Sequence, residues 1–386
     1  MKYRTLGKTR LSVSEIGMGL EHLLPKEESA VTETIRTAIK GGVNYLDCLS
    51  QKDFEKNSNE NEQFAKLGKA LDGGLREKVF INYLANANRS DKDNFIDGVK
   101  TGFECFLREL KTDRADIFMI AFCDKPIEFE RIYEKGGLFE YAKKLQTEKK
   151  IRFIGLSTHS SEIAHKTIES GDFDALMYPV NPAFDVITDE EKYIAEDLGK
   201  LWDAAYGYKA DEAKNSKLLR KDIYSECLKH DIGLIAMKPF GGGFLFREDI
   251  NTAGFTPINL ISYALAQTGV SSVVPGCTSP GQIEEILGYY TCSKEELDFG
   301  KAVSGSRWNV KGACQYCNHC LPCASGIDIG RINRIIDANR ASEYSSLGKK
   351  ASSCVKCGEC EERCPFGVKV TEKMDLAIKM FEANSH

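Results

Sequence analysis

The sequence predicts an α/β chain, a (β/α)8 TIM barrel followed by a small cysteine-rich module. Three observations predict it. Strand-like apolar runs alternate with helix-like periodicity eight times within residues 1–292. The strand runs are almost continuously apolar, as parallel strands buried on both faces must be. Eight of the fourteen cysteines fall between residues 314 and 364, which marks a second unit of different composition.

The predicted strand and helix pairs are, in order, 13–18 with 29–40, 43–47 with 61–71, 79–84 with 92–110, and 115–122 with 138–148. They continue as 151–156 with 161–170, 174–178 with 217–229, 232–237 with 258–267, and 271–275 with 281–289. A doubly wound sheet is the runner-up. The number of units disfavours it, as does the lack of a G-x-G-x-x-G turn after the first strand. The run Gly241-Gly242-Gly243 follows the seventh strand and is expected to open a loop at the barrel's active face.

The composition fits one large domain and a smaller one: 386 residues, 42% hydrophobic and 28% charged. A net charge of −5 argues against nucleic acid or an acidic membrane surface as the partner. No apolar run approaches the roughly 20 residues of a membrane span. The opening MKYRTLGKTRLSVSEIG has no apolar export region. A cytoplasmic location is expected, where cysteines rarely pair as disulfides.

The first cysteine run is Cys314, Cys317, Cys320 and Cys323. The second is Cys354, Cys357, Cys360 and Cys364, followed by Pro365. The second run reads C-x2-C-x2-C-x3-C-P, the pattern of bacterial ferredoxins, in which the fourth cysteine of each run serves the other cluster. Cys314, Cys317, Cys320 and Cys364 are therefore expected to hold one [4Fe–4S] cluster, and Cys354, Cys357, Cys360 and Cys323 the other. The first run departs from the pattern, with a shorter last gap and Ala324 in place of proline. Structural zinc is the alternative for paired C-x2-C motifs. The expected division is a barrel over 1–292, a linker helix over 293–311, and an α+β ferredoxin-like domain over 312–386. One helix is expected between the cysteine runs, over 327–344.

Several segments carry a resemblance in fixed order: "MKYRTLGKTRLSVSEIGMG", "GGVNYLDCLS", "REKVFINY", "RADIFMIAF", "KIRFIGLSTHS", "GLIAMKPFGGG" and "SVVPGCTSPGQIEEI". Over about residues 1–290 the chain resembles the aldo-keto reductases. Its tail resembles the ferredoxin-like extension of an anaerobic branch of that family. The resemblance implies a carbonyl-reducing tetrad of Asp, Tyr, Lys and His, in which a pKa-tuned Tyr donates the proton. Only Asp47 is kept. Lys52 stands where the Tyr belongs, and no tyrosine lies between Tyr45 and Tyr83. Leu84 takes the place of the Lys and Ala121 that of the His.

Two readings follow. In one, the barrel runs a different redox reaction on a small organic substrate with a rebuilt set of Asp47, Lys52 and Tyr83, joined by Cys123 or Lys125, and with His159 as a substrate-side contact. A soluble ferredoxin or flavodoxin would then be the external electron partner. In the other, the barrel is a non-catalytic scaffold of an electron-transfer or assembly subunit. A non-redox lyase or isomerase with structural clusters ranks third. The resemblance also implies a nicotinamide pocket near Ser157, Asn181, Met237 and Lys238, with phosphate near Gly276 and Ser279. Met177 and Met237 replace the family's amide-binding and stacking residues. The last loop lacks the cations that grip a 2′-phosphate, so NADP is disfavoured while NAD or a flavin remains open. Cys48, Cys123 and Cys277 each follow a barrel strand and would meet around one mouth.

Overall fold

The computed structural model describes residues 1–48, 60–87, 95–185, 220–248, 251, 254–306 and 311–383. An antiparallel hairpin opens the chain: β1 (Tyr3–Thr5) and β2 (Ser12–Ser14), with Tyr3 facing Ser14. Eight parallel strands follow: β3 (Met18–Gly19), β4 (Tyr45–Cys48), β5 (Phe80–Asn86), β6 (Ala115–Ala121), β7 (Ile151–Ser157), β8 (Ala175–Pro179), β9 (Gly233–Met237) and β10 (Val270–Val274). Each pairs with its sequence neighbours, and bridges from Ile16 to Val273 and from Gly19 to Gly276 join the two ends. The result is the closed eight-stranded barrel that the alternating pattern predicts.

One strand departs from expectation. Residues 13–18 are not one barrel strand: Ser12–Ser14 belong to the hairpin, and the barrel keeps only Met18–Gly19. The hairpin places Leu6, Leu11 and Val13 in the cluster that fills the lumen, together with Tyr45, Ile117, Met119 and Ile235. It therefore acts as a plug. Gly7 permits this contact: it sits at φ +46°, and a Cβ there would lie 2.3 Å from the Gly233 amide nitrogen.

A second cluster fills the space between strands and helices and runs on without a break into the cysteine-rich module, through Tyr263, Phe299, Ile329 and Phe366. Further ties cross the same boundary. Arg334 donates to the Ala266 carbonyl at 2.8 Å, Arg340 donates to the Leu228 carbonyl at 3.1 Å, and His319 pairs with Asp298 at 2.8 Å. The module is thus packed onto the barrel rather than strung from it.

The expected linker helix shrinks to Phe299–Ser304, capped by Asp298, and 307–310 lie outside the described residues. The single helix expected over 327–344 breaks into Ile329–Asp337 and Ala341–Ser345. Asn339 at φ +48° turns the chain between them, a conformation that Asn tolerates better than most residues. An α+β module is also not what forms: residues 311–383 contain helices and turns and, among the described residues, no strand. The cysteine loops aim backbone amides at sulfur instead of at a ladder partner. Tyr316 N–H points to Cys314 Sγ, Lys356 N–H to Cys354 Sγ and Val368 N–H to Cys364 Sγ, each at 3.4 Å.

Candidate active site and cysteine centres

A cavity of about 480 Å³ opens at the C-terminal ends of the barrel strands, the face on which such barrels carry chemistry. Its polar groups come from well-separated parts of the chain. Asp47 ends β4, His159 follows β7, and Lys238 follows β9. Phe122, just after β6, and Lys238 both line it with left-handed backbones, at φ +55° and +51°. A bulky side chain in that region is strained, and such strain gathers at functional sites. Gly242 and Gly243 of the expected active-face loop are also in the wall.

Asp47 is held by the Asn82 side-chain amide, which donates to it at 2.9 Å from the adjacent strand. Burial raises the Asp47 carboxyl to about 6. The Asn82 hydrogen bond and the Lys238 ammonium oppose that rise, and the Glu21 carboxylate adds to it. His159 is buried, and its Nδ1 lies 3.0 Å from Asp124 Oδ2. The other Asp124 oxygen accepts from the His159 backbone amide at 2.6 Å and from the Thr158 hydroxyl at 3.0 Å. Burial works to raise Asp124, but the His159 charge and these hydrogen bonds hold it below the usual carboxylate range. For His159 burial wins, and the imidazole is held below its ordinary value, partly opposed by Asp124. A neutral imidazole donating Nδ1–H to Asp124 carries its lone pair on Nε2. The sequence reading missed Asp124 and Asn82. Asp124 carried a signal, since it lies just past a barrel strand.

The other sequence-predicted residues divide. Ser157, Met237, Lys238 and Gly276 line the cavity with Asp47 and His159. Lys52 lies outside the described residues. Tyr83 is not at the mouth. It occupies the outer face of β5, its ring packs against Phe103 and Phe106, and its hydroxyl donates to the Val99 carbonyl at 3.3 Å. The period of two explains this: Asn82 points into the barrel, so its neighbour must point out. Asn181 is buried away from the cavity and spends its amide inside the protein, donating to the Lys238 carbonyl and accepting from the Phe184 amide. It positions the Lys238 turn. Ser279 caps the helix Pro280–Leu287, which presents Gln282 and Glu285 to the cavity. Of the three scattered thiols only Cys277 reaches the wall, and burial pushes it up to about 12. Cys48 and Cys123 belong to the layer between strands and helices.

The eight clustered cysteines sort into two quartets. Cys314, Cys317, Cys320 and Cys364 line one small cavity, and Cys323, Cys354, Cys357 and Cys360 line another. Each run thus lends its fourth cysteine to the other run's cavity, the crossed arrangement read from the spacing. Ile329 and Val370 belong to both walls, so the cavities are neighbours. Among the described residues no three Cys, His, Asp or Glu side chains converge as a site for a single metal ion. Each cavity gathers four cysteine side chains around one small space. Burial raises the Cys317 thiol to about 11 and the Cys320 thiol to about 12. The Leu321–Pro322 peptide, beside the crossing Cys323, is cis.

Fold and mouth together define a (β/α)8 barrel with a cavity at the C-terminal ends of its strands. Residues 15–193 match the model of the aldo/keto reductase family. An aldo-keto reductase from Bacillus halodurans aligns with TM-score 0.53 at 19% identity, over 79% of this chain and 96% of its own. An aldo-keto reductase from Klebsiella pneumoniae, solved in complex with NADPH, aligns with TM-score 0.52 at 17% identity, over 77% of this chain and 92% of its own. At these identities the likeness is one of fold. The cysteine-rich module lies beyond the matched residues 15–193.

Proposed function

We propose that this chain is an iron–sulfur oxidoreductase of the aldo-keto reductase superfamily. A small organic substrate is reduced or oxidised in the barrel mouth, and two [4Fe–4S] clusters in a ferredoxin-like module serve it. The observation that carries this reading is the crossed sorting of eight cysteines into two adjacent quartets on a module that shares the barrel's core. The donor sets fit: four cysteine sulfurs line each cavity, and backbone amides point at three of the sulfurs. Such clusters, when bound, give and take single electrons.

The chain's own residues supply the protons. His159, oriented by Asp124, gives or takes a proton at Nε2, the role the family assigns to its missing tyrosine. Asp47, raised to about 6, is a second proton store near neutral pH. Lys238 places a positive charge that acts on both Asp47 and His159. A substrate oxygen gaining negative charge would be stabilised by that ammonium. This set favours a working barrel over a retired scaffold, which has no use for a strained, carboxylate-held mouth.

A nicotinamide or flavin finds little in the described lining that is built to hold it. The Asn181 amide is committed elsewhere, Met177 stands in the wall, and the carboxylates Glu21, Asp47 and Glu285 face one lysine. The proton chemistry above is independent of such a cofactor.

The test is anaerobic isolation followed by iron and sulfide assay, then dithionite bleaching of the visible absorbance. Small aldehydes, ketones and enones are then offered to the reduced protein. The reading expects iron and sulfide in equal amounts and recovery of absorbance with one substrate class. Zinc in place of iron would end it.

A further inference from the structure

The two quartets are placed unequally. In the loop that carries Cys314, Cys317 and Cys320 the cysteines are half-buried, and Gln315 and Tyr316 between them are buried. Tyr316, between the first two, is almost inaccessible. Its hydroxyl donates to Asp337 at 2.6 Å, and the Arg334 guanidinium lies 5.3 Å from its ring centre. Arg334 is the residue that bonds the Ala266 carbonyl of the barrel. His319 in the same loop seats on the barrel side against Asp298, so closely that a Cβ on Gly300 would lie 2.5 Å from its ring.

From this side, aromatic and carboxylate contacts run toward the mouth. Phe299 meets Tyr263 edge-on at 5.4 Å, and Tyr263 donates to Asp185 Oδ2 at 2.6 Å. Asp185 Oδ1 accepts from Tyr224 at 2.5 Å, and the Tyr224 ring stands 6.3 Å from that of Tyr178 in β8. Next to Tyr178, Met177 lines the cavity.

The second quartet faces the other way. Cys357 is the one exposed cysteine of the eight. Beside it Val355 is 69% exposed, more than any other large hydrophobic among the described residues. Lys356 is held by Asp375, which fixes the loop that presents both.

We propose that the quartets form an ordered pair, one set toward solvent and one toward the barrel. The quartet of Cys323, Cys354, Cys357 and Cys360 is the outer port. There a reduced one-electron carrier protein of the ferredoxin or flavodoxin class meets the Cys357–Val355 edge. The quartet of Cys314, Cys317, Cys320 and Cys364 is the inner station facing the barrel. A [4Fe–4S] cluster held by these four cysteines of the outer port would take one electron from the carrier at each encounter, leaving the carrier oxidised by one. Two such electrons, with two protons delivered at the mouth, reduce one substrate carbonyl to an alcohol. The inference rests on the iron–sulfur reading.

The experiment follows cluster absorbance in an anaerobic stopped flow, using a reduced [2Fe–2S] ferredoxin as the protein donor and dithionite as the small one. Cys317→Ala breaks the inner quartet and Cys357→Ala the outer. The remaining group in Cys317→Ala is expected to bleach with ferredoxin at the wild-type rate. In Cys357→Ala the ferredoxin rate falls by about tenfold or more, the range over which interface changes move related associations, while dithionite still bleaches it. In the intact chain, Val355→Asp slows the ferredoxin rate by roughly threefold and leaves the dithionite rate unchanged, and this exposed change decides the matter should Cys357→Ala fail to assemble. Wild-type ferredoxin rates in both Cys357→Ala and Val355→Asp overturn the ordering. Wild-type protein without iron and sulfide overturns the underlying reading instead, so the two failures are distinguishable.

Discussion

The cysteine module draws its sulfurs from two short loops, whereas the barrel mouth draws its polar groups from the ends of separate strands. Within each loop, ligand spacing is local and survives as a pattern along the chain. The mouth has no such pattern, because Asp47, Asp124, His159 and Lys238 meet only once eight strands close. The module has no strand ladder of its own among the described residues, while the barrel has a complete one. The first region should therefore depend on what it binds, and the second should stand without it.

Removing the metal tests that difference most severely. Chelation under oxidising conditions is expected to abolish turnover and strip amide-exchange protection from 311–383, while β5 to β9 keep theirs. Metal binding of this kind is folding free energy for a small module. If protection in the module persists unchanged, its helices and shared core hold it without the clusters and the contrast fails.

Asp124→Asn comes next, because it disturbs the mouth without touching either quartet. An amide in place of the carboxylate no longer secures the Nδ1–H tautomer of His159. The substrate-driven rate is expected to fall by ~10²–10⁴-fold, with a smaller change in KM. Nitrogen chemical shifts of His159 report the tautomer directly. A near-normal rate with a switched tautomer would remove His159 from the proton path.

How much of this was legible follows from the same contrast. The grouping of Cys364 with the first run and of Cys323 with the second agrees with the bacterial-ferredoxin spacing, even with the irregular last gap, while their ligation of clusters is the proposal. The barrel could be read from the strand alternation, although β3 shrank where the hairpin claimed Ser12–Ser14. Tyr83 was misread because its facing depends on the register of β5, which becomes clear only when Asn82 is seen to hold Asp47. Asp124 was passed over because it lies a few residues beyond where the missing histidine was sought. Asn181 and Lys238 were read as parts of a cofactor pocket, yet their mutual bond makes the first a support for the second.

Asp47 sharpens the mouth's side of the comparison through pH. Its carboxyl is raised from 3.8 to about 6, so folding binds a proton in the range between. The stability it contributes is fully present below 3.8 and is lost as pH rises through about 6. Asp47→Asn is therefore expected to raise Tm more at pH 8 than at pH 5, and to remove the rate limb that titrates near 6. Calorimetry and a pH–rate profile at the two ends of that window check both. An unchanged limb would assign it to another group.

Tyr83→Phe has the smallest expected effect and separates a core tyrosine from a catalytic one. The hydroxyl donates to the Val99 carbonyl at 3.3 Å, inside a cluster of Phe64, Phe103, Phe106 and Phe118. Losing it should cost ~0.5–1.5 kcal/mol in denaturant unfolding, the net worth of such a bond. The rate should not move, because the ring stays and the mouth lies on the other face of the strand. Were Tyr83 the substitute proton donor, the same change would slow turnover by ~10²-fold or more. The two outcomes differ so widely that even a coarse assay decides between them. A slow Tyr83→Phe would mean that β5 presents its other face to the lumen, and the placement of Asn82 beside Asp47 would fall with it.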